Sequence, residues 1–158
     1  MPRKVTVLTM VSVAVLGLAA GVAYAPYHTQ PTPPPSGDSG SSSLAAAIAQ
    51  AKTAAAHAGY AAGSNAVGAA KEHLGHALVC IEGAKGENVN AAWDNPCQGM
   101  GNGVLADLRR ANASAALMAK AKDADAAAVA GMKSTDLAKI KTSAQQVATL
   151  MQQVAQGK

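Results

Sequence analysis

The stretch 73–103, "HLGHALVCIEGAKGENVNAAWDNPCQGMGNG", decides how this chain has to fold. Its opening residues carry large apolar groups at helical spacing, Leu74, Leu78 and Ile81. Then the pattern stops. Gly83, Gly86, Asn88, Asn90, Asp94-Asn95-Pro96, Gly99, Gly101 and Gly103 form a dense run of turn residues. A loop of about 20 residues is long for a small domain, and such loops are usually functional or tied down. Cys80 and Cys97 stand at its two ends. The reading is a helix that ends near Ile81, a pinned loop, and helices that fold back.

Working upstream, Leu44 to about Ile81 predicts one long helix. Ser41 to Ser43 offer N-caps, and Leu44, Ile48, Tyr60 and Val67 lead into the Leu74 stripe. Glycines at 59, 63, 68 and 75 weaken it, and they suit places where two helix backbones come close. Downstream, a second helix starts near Val104, with Asn102 as its cap and Leu105, Leu108, Leu117, Met118 and Val129 as its larger apolar groups. It ends at Gly131, with an interruption expected near Asp123 to Asp125. Ser134 caps a third helix, with Asp136 in its first turn. Leu137, Ile140, Val147, Leu150, Met151 and Val154 carry that helix to the C-terminus. The expected fold is all-α: a small bundle of three helices, four if the first breaks near its glycines, with a disulfide-pinned inter-helix loop.

Composition agrees with helices. Alanine dominates, and it loses no side-chain entropy on entering a helix. Phenylalanine is absent and there is one tryptophan, so the core must be thin. The net charge is +4, of which Arg3 and Lys4 supply two. The remaining lysines alternate with acids, as in Lys120, Lys122, Asp123 and Asp125, and no aromatic platform accompanies them. Nucleic-acid binding is therefore not expected.

The N-terminus reads as an export signal. Pro2-Arg3-Lys4 precede an uncharged run from Val5 to Ala25. Cleavage after Ala25 would leave Pro26 at the new start, which hinders signal peptidases; Gly21-Val22-Ala23 and Leu18-Ala19-Ala20 are alternatives. The run also approaches the ~20 residues that span a bilayer, so an uncleaved anchor is the other reading. Residues 1–25 are thus a signal peptide or membrane anchor, 26–43 a Pro/Gly/Ser-rich linker, and 44–158 a helical domain. Either route places the domain in the periplasm or cell envelope, with membrane contact only through an uncleaved N-terminus. A cut after Ala25 would begin the chain Pro26-Tyr27-His28, whose amine, two amides and imidazole could wrap Cu²⁺ or Ni²⁺ in a square plane.

The chemistry-bearing residues gather in the opening stretch. His73, His76 and Cys80 fall within ~60° on a helical wheel, away from Leu74, Leu78 and Ile81. Three readings of the cysteines stay open. They could bond to each other, closing a loop of about 17 residues worth roughly 3 kcal/mol. They could join the histidines as ligands for Zn²⁺ or Cu⁺, with the Met100 thioether nearby. They could be reactive thiols. An exported chain with a thin core favours the disulfide. His73 and His76 then remain one turn apart as a modest site for Cu²⁺, Zn²⁺ or Ni²⁺, with His57 more than four turns upstream and Glu72 beside them. Solvated histidines with no ligand are the bland alternative. Gly99-x-Gly101-x-Gly103 follows no strand and lacks a phosphate-binding lysine, so it is read as a bend rather than a nucleotide loop. Trp93 is expected to cover this corner, or to stack on a ligand. No catalytic set stands out, and no Cys-x-x-Cys occurs.

The segment 51–78, "AKTAAAHAGYAAGSNAVGAAKEHLGHAL", resembles the bacterial periplasmic small metal-binding proteins, which are alanine-rich and carry histidines at helix spacing. The resemblance implies a non-enzymatic helical protein that takes up divalent metals, notably copper, and it carries His57, His73 and His76 over as ligands. This chain departs from that family in having few histidines and in the Cys80–Cys97 loop. It is therefore expected to bind little metal per chain. The competing reading is a non-enzymatic structural or interaction protein of the envelope whose loop is purely structural.

Overall fold

The structure, a computed structural model, describes residues 39–158. Residues 1–38, which include the expected signal or anchor, most of the expected linker and His28, lie outside the described residues. Those described form five α-helices and no strand: α1 Ser39–Gly63, α2 Val67–Glu82, α3 Val104–Arg110, α4 Ala115–Lys133 and α5 Leu137–Ala155. None of them is long and apolar enough to cross a membrane.

The helix count, five, exceeds the three or four expected. The first helix does break near its glycines, as the four-helix alternative had it, because Gly63-Ser64-Asn65 are poor helix formers in succession. The Ser64 hydroxyl donates to the Tyr60 carbonyl at 2.9 Å, and Ala66 is extended at φ −132°. The expected second helix is also two. Its interruption falls at 111–114, where Asn112 takes φ +50°, and α4 runs unbroken through Asp123 and Asp125. Ser114 restarts the chain by accepting from the Leu117 amide at 3.3 Å.

The expected caps move as well. α1 begins at Ser39, so Ser41 to Ser43 lie in its first turns. Gly103, not Asn102, holds the N-cap position of α3, and Asp136, not Ser134, caps α5 by accepting from the Ala138 and Lys139 amides. α4 continues past Gly131 to Lys133.

The four long helices close a ring in the order α1, α2, α4, α5, each packed on two neighbours, with α3 lying against α1. The inner face of α1 is made of alanine: Ala47, Ala51, Ala54, Ala55, Ala58 and Ala61. α4 does the same with Ala121, Ala124, Ala127 and Ala128, while Leu117, Met118 and Val129 are only half-buried. Bulk comes from the other elements: Leu74, Leu78 and Ile81 of α2, Leu108 of α3, and Ile140, Val147, Met151 and Val154 of α5. Small faces thus meet large ones across the ring, which is how an alanine-rich chain reaches close packing.

Close approach explains fewer glycines than expected. A Cβ on Gly59, Gly63 or Gly68 would meet nothing, whereas one on Gly75 would press on the Trp93 ring at 3.0 Å. Trp93 thus covers the corner by lying flat over Gly75 of α2. Gly83 and Gly103 take φ +86° and +104° where the loop leaves α2 and returns to α3, their backbones touching.

Candidate metal centre

The break at 64–66 turns α1 and α2 into an antiparallel hairpin, and this creates the site. Antiparallel register pairs residues that approach the turn from opposite sides, so His57 of α1 comes level with His73 and His76 of α2. His57–His76 ring centroids lie 5.1 Å apart, His57–His73 5.9 Å and His73–His76 6.1 Å. One ligand atom from each ring falls within 4.8 Å of the other two. The wheel correctly put His73 and His76 off the Leu74 face. That flank faces α1, not bulk solvent or the loop.

All three histidines are half-buried. The Nδ1 of each ring is cut off from solvent and has no hydrogen-bond partner. Three such orphaned atoms are costly, at about 1–3 kcal/mol each when nothing compensates. Burial, then the charges of His76 and His73, lower the pKa of His57. That keeps its lone pair free at neutral pH, the form a metal requires. Tyr60, one turn beyond His57 and largely exposed, sets its ring against His57 at 5.7 Å and His73 at 5.5 Å.

A tetrahedral zinc site with ~2.0–2.1 Å bonds holds its ligand nitrogens about 3.3 Å apart. The three rings therefore need to close by about 1.5 Å at most, a small rotamer adjustment for side chains on two packed helices. The donor set is all imidazole, which suits zinc, copper or nickel rather than calcium or magnesium.

Of the other candidates, Glu72 is exposed and stands outside the cluster. Met100 is held one turn along α1, where the Thr53 hydroxyl meets its Sδ at 3.7 Å. The Cys80 and Cys97 sulfurs lie at bonding distance, 2.04 Å, at the far end of the same seam, and neither cysteine joins the histidines. Cys97 Sγ also packs against the Gln50 carbonyl of α1 at 3.9 Å, while the bond itself ties the loop to α2.

Sequence reasoning missed a second polar centre beside this crosslink. Gln50 donates to the Asp107 carboxylate at 2.7 Å and accepts from the Gly103 amide at 2.8 Å. The Asn102 amide gives a further bond to Asp107 at 2.9 Å. Gln50, Gly103 and Asp107 are buried while Asn102 is exposed, and Gly101 has no room for a Cβ against Asp107 and Gln50. The only available signal was a glutamine on a face otherwise made of alanine.

Comparison with protein families, with characterised proteins and with solved structures finds no match to this chain.

Proposed function

We propose that this is an exported protein of the bacterial periplasm or envelope that binds one zinc, copper or nickel ion through His57, His73 and His76, as a carrier or buffer rather than an enzyme. The observation that carries the reading is the convergence of three imidazoles from two helices, each with a buried, unpartnered Nδ1. The likeness of residues 51–78 to the periplasmic small metal-binding proteins points the same way, as does the signal-like N-terminus. Because the site bridges α1 and α2, a bound ion would crosslink the hairpin. Free metal at a hundred times its dissociation constant should then raise stability by about 2.7 kcal/mol.

Calorimetric titration with Zn²⁺ and Cu²⁺ tests this. One ion per chain is expected, with affinity falling by about an order of magnitude or more in His57→Ala. Binding should also weaken as pH drops through the imidazole range, since protons compete for the same lone pairs. Equal affinity in wild type and a His57→Ala/His73→Ala/His76→Ala protein would end the proposal.

The ring contacts with Tyr60 favour one competing reading, a packing cluster with no ligand. In that case the triple substitution changes stability and metal changes nothing. Export is checked separately, by sequencing the N-terminus of the protein recovered from the envelope. A start at Pro26 would add the His28 site, whereas a start at Tyr24 or Gly21, or retention of Met1, would remove it.

A further inference from the structure

Resting on the metal reading above, we infer that the loaded centre keeps one coordination position open and takes a small anion there from solution. The first support is the donor count. Among the described residues the cluster contains three imidazoles and no carboxylate or thiolate. Three protein ligands with a fourth, exchangeable position is the arrangement of open zinc sites, whereas closed structural sites supply four.

The second support is charge. Neutral imidazoles leave the full +2 of a divalent ion uncompensated, and the rings sit partly out of water. An anion bound to the metal removes that cost. The nearest acid in sequence, Glu72, is exposed and outside the cluster, and Met100 is engaged at Thr53. Glu82 and Asp107 are committed elsewhere, to Asn88 and to Gln50 with Asn102.

The third support is access. His57 and His73 retain partial exposure, and the group beside them is the exposed ring of Tyr60 rather than a packed core residue. The ligand class is therefore a compact monoanionic donor such as hydroxide, azide or a small carboxylate.

Cobalt(II) with azide as the probe separates this from the parent reading. The full chain is loaded with Co²⁺ and its visible bands are followed while azide is added. The His57→Ala/His73→Ala/His76→Ala protein, given the same cobalt and azide, serves as the blank. A saturable shift of the bands, absent from the blank and with cobalt still bound, is expected. The same shift should survive in Tyr60→Phe. Bound cobalt whose bands do not move at saturating azide overturns the open position alone, since a side chain then fills it. A shift that appears only in Tyr60→Phe overturns it too, and identifies the phenol as that side chain. Cobalt that does not bind the wild type overturns the metal reading and this inference together.

Discussion

Asp107 is enclosed, yet its carboxylate is fully employed, accepting from Gln50 and from Asn102 and lying 3.5 Å from the Arg110 guanidinium. Gln50 completes the arrangement by taking the Gly103 amide. Gln50→Ala would strand the buried Gly103 N–H and take one donor from the buried Asp107 carboxylate, which keeps Asn102 and Arg110. The expected cost is about 2–4 kcal/mol, read as a lower urea midpoint at unchanged slope. Gln50→Glu should be as harmful or worse, because it sets a second carboxylate against the first. At this scale the sequence is uneven in what it discloses. His73 and His76 are visible as neighbours because their spacing is local. Their meeting with His57 depends on where the hairpin turns, and neither wheel nor spacing reports that. Gln50 and Asp107 are 57 residues apart, and nothing in either neighbourhood marks them as partners.

Among the elements, the loop between α2 and α3 is the one most dependent on chemistry outside secondary structure. The crosslink spans 17 residues of sequence. Replacing both cysteines by serine should lower stability by roughly 2–4 kcal/mol, and two thiols that label freely in the native, non-reduced protein would show that the bond is not made. At the other edge of the loop, the end of α2 meets α4. Burial, and next the nearby Glu82 and Glu87, raise the pKa of Asp125 to about 7. A carboxyl whose folded pKa exceeds its unfolded value of 3.8 holds its proton more tightly when folded. Its contribution is therefore intact at acid pH and is lost as pH rises between those two values. Asp125→Asn should flatten that part of the stability profile and leave the protein more stable than wild type near pH 8; an unchanged profile would show that Asp125 ionises freely. The α5 stripe was plain from its large residues. The break at 64–66 was marked by the glycines of the first helix, whereas the one at 111–114 was not, because alanine on either side satisfies a helix of any length and only tertiary packing chooses the stop.

For the whole molecule, the all-helical class was legible because alanine and the spacing of large residues agree on it. The ring of four long helices was not, since faces made of methyl groups carry no pattern that tells one neighbour from another. Specific order has to come from a few marked points: the Gln50–Asp107 bonds, the Cys80–Cys97 pair, and the indole over Gly75. That last contact has an optical consequence. Trp93 is the only tryptophan, so ultraviolet emission excited at its red edge comes from one place in the chain. Gly75 lies between His73 and His76 in sequence, which puts the emitter roughly one helix width, about 10 Å, from the imidazoles. A paramagnetic ion at that range drains an excited indole, while a closed-shell ion does not. Titration with Cu²⁺ should therefore darken the protein in step with occupancy, and Zn²⁺ should compete the darkening away without causing it. Emission indifferent to copper at stoichiometric loading would mean that the ion binds somewhere other than the hairpin seam.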